Sequence, residues 1–123
     1  MSRAGQLQGK TAVVTGASSG IGAATVRALQ TEGVRVAGGA RRVEQVEADL
    51  ALPLDVTDPD SCAAFVMRAI DELGGLDVLV NGAGLALGRD PFDDSTESDE
   101  ELVLETNVHG LIRMTRLCLP HLR

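Results

Sequence analysis

The residues with the clearest capacity for chemistry are the glycines and serines of 15–22, which have the sequence TGASSGIG. Glycine has no Cβ, so the main chain at Gly16, Gly20 and Gly22 can approach a ligand closely. A short β-branched run precedes the segment and a helical pattern follows it, which would direct the free N–H groups of a helix N-terminus at the same ligand. This pattern predicts a diphosphate site formed by Gly16, Ser18, Ser19, Gly20, Ile21 and Gly22. The alternative is a glycine-rich strand-to-helix turn without a ligand.

The spacing of these glycines separates the loop from two better-known nucleotide-binding loops. Its order is GxxxGxG, whereas the dinucleotide fingerprint has the order GxGxxG. A P-loop is excluded, because no GxxxxGK followed by Ser or Thr occurs in the chain. The anion would therefore be bound by main-chain amides without a lysine.

The elements that must position this loop are predicted from hydrophobic periodicity. Strands are expected at Thr11–Thr15, Val34–Gly39, Leu50–Val56 and Asp77–Val80. Pro53 cannot donate to a strand ladder, so the third strand is expected at a sheet edge.

Helical patterns separate the strands. The first is lined by Ile21, Ala24, Thr25, Ala28 and Leu29 and ends at Gly33. One or two turns are expected in 41–49, with Val43, Val46 and Leu50 facing inward. A third helix begins at the N-cap Asp58 with Pro59 at its first position, and a fourth runs from about Ser98 to Leu119, with Ser98 and Glu101 matching a capping box.

The alternation of strands and helices predicts an α/β fold with a doubly wound parallel sheet. We expect a Rossmann-type three-layer sandwich with the strand order 3-2-1-4, formed by residues 1–123 as a single nucleotide-binding domain. A fifth strand would be due where the sequence stops. The chain is therefore expected to be truncated before that strand.

Composition excludes several functions. A net charge of −7 argues against a nucleic-acid partner, because such binding depends on cationic contacts to phosphates. No stretch has the length of a membrane span or the pattern of a signal peptide, so a cytoplasmic protein is expected. Cys62 and Cys118 are expected to be reduced core residues, and the acidic residues of 90–101 and the histidines lack metal-ligand spacing. Arg113, Arg116 and Arg123 are assigned to the negative end of the last helix.

Four motifs in order resemble the short-chain dehydrogenase/reductase family. They are the TGxxxGxG loop, Asp55-Val56 after the third strand, Asn81-Gly82-Ala83-Gly84 after the fourth, and Asn107-Val108-His109-Gly110 in the long helix. The resemblance covers residues 7–123, which correspond to the N-terminal half of a usual member. It implies an oxidoreductase that transfers a hydride between a nicotinamide cofactor and an alcohol or carbonyl substrate. Gly82 departs from the family pattern, which usually has a second Asn there.

The resemblance also implies roles for single residues. Asp55, with Val56 beside it, would bind the cofactor, with Asp55 at the adenine ring; a plain strand-to-turn aspartate is the alternative. Asn81, Ala83 and Gly84 would lie against the adenine ribose and the nicotinamide side, unless NGAG is simply a tight turn. Asn107 resembles the catalytic asparagine that kinks the long helix and binds a water of the proton relay. Its amide could instead only pair with backbone.

The choice of cofactor depends on the end of the second strand. NAD-selective sites have an acidic residue there, whereas arginine suits the 2′-phosphate of NADP. At the end of the second strand the sequence has Arg41 and Arg42 and no carboxylate, which predicts NADP(H) over NAD(H). The alternative is that both arginines are solvated loop charges.

The family's acid–base pair is a tyrosine with a lysine four residues later. The chain has no tyrosine, and its single lysine is Lys10, so we expect the parent protein to be the enzyme and this chain alone to be inactive. A competing interpretation is a catalytically inactive fragment that binds NADP or self-associates. A homo-oligomer is expected by resemblance, because the helix carrying Asn107 commonly forms subunit interfaces in the family.

Overall fold

A parallel four-stranded sheet forms the centre of the computed structural model, which describes residues 5–84 and 96–122. The strands are β1 (Thr11–Thr15), β2 (Arg35–Ala40), β3 (Leu50–Pro53) and β4 (Val78–Asn81). Their spatial order is β3-β2-β1-β4, and every neighbouring pair is parallel. This confirms the predicted strand order and places β3, which contains Pro53, at an edge.

Four helices and three short turns complete the described chain. The helices are α1 (Gly20–Thr31), α2 (Pro59–Leu73), α3 (Glu97–Leu104) and α4 (Gly110–Cys118). A π-helical turn, Glu105–His109, joins α3 to α4, and 3₁₀ turns occupy Val43–Gln45 and Leu119–His121. Within residues 5–84 and 96–122, no helix is long and apolar enough to cross a membrane.

Side chains alternate between the two faces of the sheet, which produces three layers. Ala12 and Val14 of β1 pack with Val26 of α1 on one face. Val13 points to the other face, where it joins a core with side chains of α2 and α4, among them Phe65 and Met114. Because strands expose successive side chains to opposite sides, burial on both faces requires the continuous apolar run seen in β1. The predicted three-layer α/β sandwich is confirmed.

Helix α2 begins as the sequence predicts. The Asp58 carboxylate accepts hydrogen bonds from the amides of Asp60 and Ser61, at 2.9 and 3.3 Å, and Pro59 is the first helical residue. The helix ends at Gly74, which has a φ of +80°. Both ends therefore follow the usual preference for Asp before a helix and Gly after it.

The predicted apolar face of α1 is wrong except at Leu29, which packs against the core. The fully buried residues of this helix are Gly22 and Val26, whereas Ile21 is 84% exposed and Ala24 and Ala28 are also exposed. The helix has alanines on several sides, so the apolar pattern fits more than one face. Close backbone packing at Gly22, a contact without a side chain, selects the observed face.

Other predicted bounds also change, and β2 and β4 each begin and end one residue later than predicted. Helix α3 is capped by Thr96, whose hydroxyl accepts from the Asp99 amide at 3.1 Å, so the predicted cap Ser98 lies inside the first turn. Strand β3 ends at Pro53, because the next residues form a turn closed by Asp55. The segment after β2 makes a single 3₁₀ turn, although Val46 is buried as predicted. Residues 90–95 of the acidic stretch 90–101 lie outside the described residues.

Candidate functional site

A cavity of about 870 Å³ opens at the carboxyl ends of the strands. Its volume is in the range of small-molecule sites, and its position is where doubly wound sheets bind ligands. The predicted site residues that line it are Gly16, Ser18, Ser19, Ile21, Gly22, Arg41, Arg42, Asp55, Val56, Ala83 and Gly84. Three loops and one turn, far apart in sequence, thus converge on one space.

The glycines of the first loop are required by close contacts between main chains. A Cβ on Gly16, which has a φ of +65°, would lie 2.6 Å from the carbonyl oxygen of Gly82. A Cβ on Gly22 would lie 1.9 Å from the carbonyl oxygen of Gly16. The loop after β1 is therefore packed against the loop after β4 on one side and against the start of α1 on the other.

The start of α1 has the properties of an anion site. Ser19 is its N-cap residue, and in the described part of the chain its side chain makes no capping hydrogen bond. The first turn of α1 contains no acidic residue. Ser19 and Ile21 both line the cavity. Because a helix N-terminus presents unpaired N–H groups and a partial positive charge, these residues fit a bound diphosphate.

Thr15, which the sequence analysis did not assign to the site, connects two of the loops. Its hydroxyl oxygen accepts hydrogen bonds from the amides of Gly82 and Ala83, each at 3.0 Å. The residue is 1% exposed and is the last residue of β1. A hydroxyl at the carboxyl end of β1 was the available signal, but its partners lie 67 and 68 residues away.

Asp55 forms the turn that follows β3. Its Oδ1 accepts from the Thr57 amide at 3.0 Å and from the Thr57 hydroxyl at 2.6 Å. The hydroxyl bond is the main reason that the pKa of Asp55 is lowered, and the charge of Arg41 contributes in the same direction. Asp55 therefore shapes the turn and also lines the cavity. This geometry fits a contact with the cofactor as well as a strand-to-turn aspartate.

The two arginines follow β2 at the rim of the cavity. Arg41 and Arg42 are exposed and belong to its lining, together with Gln45 of the adjacent 3₁₀ turn. Arg41 and Arg42 thus line the same cavity as Ser19 and Ile21 at the α1 N-terminus.

Three predicted residues do not line this cavity: Gly20, Asn81 and Asn107. The side-chain nitrogen of Asn81 donates to the Thr115 hydroxyl of α4 at 3.1 Å. Its amide oxygen is buried and, among the described residues, has no hydrogen-bond partner. The amide of Asn81 therefore points into the protein, between β4 and α4.

Asn107 lies in the π-helical turn between α3 and α4. A Cβ on Gly84 would lie 3.7 Å from its Oδ1, which places Asn107 beside the loop after β4. The neighbouring residue Thr106, and Leu102 one turn earlier, line the cavity and were missed by the sequence analysis. Single π-helical turns inside longer helices occur frequently at functional sites.

Comparison with known proteins agrees with this arrangement. The serine 3-dehydrogenase of Agrobacterium fabrum is 38% identical over 120 residues, which cover 91% of this chain and 48% of that protein. A short-chain dehydrogenase from Burkholderia cenocepacia, solved with NADP, superposes with a TM-score of 0.87 at 34% identity over 94% of this chain and 52% of the other. The 3-ketoacyl-(acyl-carrier-protein) reductase of Brucella melitensis, solved with NADH, superposes with a TM-score of 0.87 at 29% identity over 94% and 50%.

The chain thus spans about half the length of these relatives. A family model described as short chain dehydrogenase matches residues 10–123. That range contains the glycine loop, both arginines, the Asp55 turn and the π-helical turn. The chain belongs to the short-chain dehydrogenase family.

Proposed function

We propose that this chain binds NADP(H) and is the cofactor-binding part of an oxidoreductase that interconverts an alcohol and a carbonyl compound. The observation that carries the proposal is the convergence of the glycine loop, the α1 N-terminus and two arginines on one cavity. In this proposal residues 1–123 are one nucleotide-binding domain of a longer enzyme, located in the cytoplasm.

The predicted residues other than Asn81 each have a part in this proposal. Main-chain amides of 18–22 bind the diphosphate, and the guanidinium groups of Arg41 and Arg42 bind the 2′-phosphate in the forked geometry that suits phosphate oxygens. Residues of the Asp55 turn and of the loop after β4 enclose the adenine ring, the ribose and the nicotinamide side. Bound there, the nicotinamide would supply or accept the hydride.

Asn107 is the proposed catalytic residue of this chain, and its proposed role is to bind a water of the proton relay. Its position beside Gly84 supports this role, because Gly84 lines the cavity. The chain contains no tyrosine, so it has no phenol that could protonate or deprotonate the substrate oxygen. We therefore propose that the 123-residue chain binds cofactor without catalysing the reaction.

Fluorescence titration of the folded chain with NADPH and with NADH tests the cofactor part. We expect tighter binding of NADPH, and we expect R41A/R42A to weaken NADPH binding by about ten- to a hundredfold, which corresponds to the loss of about 1.5–3 kcal/mol of hydrogen bonding to a charged phosphate. NADH binding should change little. R68A removes an exposed arginine of α2 and is the matched control. Equal or tighter binding of NADH would reject the preference, and a folded chain that binds neither would reject the cofactor site.

Self-association is a second candidate function. Leu104, Val108, Leu111, Ile112 and Leu119 lie on the segment from α3 to the last 3₁₀ turn, and each is 43–62% exposed. Exposed apolar side chains concentrated on one segment are typical of an interaction surface. We propose that a second copy of the chain covers this segment.

Sedimentation velocity over a range of protein concentrations tests self-association. L111E should shift the chain toward the monomer, because a charge placed in an apolar contact is costly to desolvate. M67E is the matched control, since Met67 is 71% exposed on α2, away from the segment. A wild-type chain that stays monomeric at all concentrations would reject the second candidate.

A further inference from the structure

Arg113 of α4 joins two parts of the protein that are far apart in sequence. One guanidinium nitrogen, Nη1, donates to the main-chain oxygen of Val56. The other, Nη2, donates to Oε1 of Glu105 at 3.1 Å. The side chain is 22% exposed, so most of this cation is enclosed by the elements it connects. The sequence analysis assigned Arg113 only to the helix dipole, and the observed pairing corrects that assignment.

The two acceptors belong to segments that form two walls of the cavity. Val56 is part of the turn after β3 and itself lines the cavity between Asp55 and Thr57. Glu105 is the first residue of the π-helical turn, and the next residue, Thr106, lines the cavity from the helical side. Asn107 follows directly. A single guanidinium group therefore spans the distance between the Asp55 turn and the turn that carries Asn107.

Two further contacts favour a fixed separation of the walls. A Cβ on Gly110 would lie 2.8 Å from Cγ2 of Val56, so the backbone of α4 already packs closely against this turn. The other carboxylate oxygen of Glu105 pairs with Nδ1 of His109 at 2.8 Å, which orients the acceptor toward Arg113. The packing of Gly110 against Val56 limits how closely the two walls approach. The planar guanidinium group of Arg113 adds directional hydrogen bonds to both walls.

We propose that Arg113 is a positioning residue, which keeps the π-helical turn at a fixed distance from the Asp55 turn so that a dinucleotide contacts both walls at once. Arg113 does not belong to the lining of the cavity, so it acts through Val56 and Glu105. This inference rests on the proposed cofactor site. It adds Arg113 as a residue that controls how well the Asp55 turn and the π-helical turn fit one ligand.

Two ligands of different length test the proposal on the 123-residue chain. NADPH reaches both walls, whereas adenosine 2′,5′-bisphosphate has no nicotinamide half and depends on the adenosine side alone. We expect R113M to weaken NADPH binding about tenfold, the effect of losing one charged hydrogen bond, and to change bisphosphate binding less than about twofold. R113K keeps one donor group and should recover part of the NADPH affinity.

R116M is the matched control, because Arg116 is an exposed arginine one helical turn further along α4. Equal losses for both ligands in R113M would show a general loss of structure and would overturn the proposal, as would no loss for either. If R113M does not fold, R113K and E105Q are judged by the same ratio of the two affinities. A wild-type chain that binds neither ligand would instead reject the proposed cofactor site itself.

Discussion

A methyl group on Gly22 would come within 1.9 Å of the carbonyl oxygen of Gly16, so these two residues are in direct backbone contact. Gly22→Ala must displace either the loop or the helix. We expect a loss of about 1–3 kcal/mol in the free energy of unfolding, as is typical of overpacked positions. NADPH affinity should fall as well, because the displaced atoms line the cavity.

Urea unfolding and NADPH titration of the same variant measure both effects. Ala24→Ser is the control, since Ala24 is an exposed residue of the same helix. If Gly22→Ala matched this control in stability and in affinity, the close contact would have no energetic importance.

Thr15→Val should loosen the loop after β4. The substitution keeps the shape of the side chain but leaves the Ala83 amide without the hydroxyl acceptor at 3.0 Å. Because this bond is partly buried, its loss should cost about 0.5–1.5 kcal/mol, which should be visible in urea unfolding. Thr15→Ser keeps the hydroxyl and should retain more stability, whereas Thr31→Val, an exposed control, should change little. Equal stability of Thr15→Val and wild type would contradict the role of this hydroxyl.

The Asp55 turn predicts a loss of stability in acid. The folded pKa of Asp55 is lowered mainly by the Thr57 hydroxyl, so the ionised form is favoured in the folded chain. This contribution is complete above the unfolded pKa, near 3.8, and is lost as the pH falls through the folded value.

Unfolding free energies between pH 5 and pH 2 measure this effect. Thr57→Val should flatten the acid part of the curve relative to wild type. Asp71→Asn removes an exposed carboxylate of α2 and should leave the shape of the curve unchanged. Parallel curves for wild type and Thr57→Val would show that the Asp55–Thr57 bond does not contribute to acid stability.

The buried thiols predict a loss of stability in alkali. Burial raises the pKa of Cys118 to about 11 and also raises the pKa of Cys62. Unfolded thiols ionise near 9.0, so above that pH the unfolded chain binds fewer protons than the folded chain. Stability should therefore fall between pH 9 and pH 11.

Urea unfolding in the presence of a reducing agent checks this prediction. The chain has no tyrosine, so phenol ionisation does not contribute in this range. Cys118→Ala should be less stable at neutral pH but should show a shallower alkaline slope. A slope identical to that of wild type would exclude the Cys118 thiol as the titrating group.

The parts of the fold that were predicted correctly depend on local signals. The β-branched run at Thr11–Thr15 and the cap formed by Asp58 and Pro59 are complete within a few residues. The buried face of α1 could not be predicted, because the backbone contact between Gly22 and Gly16 selects it, and a backbone contact leaves no apolar signal.

The site residues also divide into those that local sequence predicts and those that depend on the packing of distant elements. Most residues of the glycine loop and the two arginines line one cavity, and they could be singled out because their types and order are informative on their own. Thr15, Leu102 and Thr106 were missed, since their positions at the cavity follow from strand order and helix packing. The amide of Asn81 points toward Thr115, an orientation that depends on how α4 packs against β4.

The π-helical turn before α4 changes the direction in which the side chains of α4 point around the helix axis. A wide turn of this kind contains one residue more than an ordinary helical turn, and one residue corresponds to a rotation of about 100° around the axis. Deleting a single residue there would restore a regular helix, and Met114 and Cys118, now fully buried, would rotate out of the interior. The extra residue thus lets one helical segment direct polar side chains toward the cavity at its middle and apolar side chains toward the core at its end.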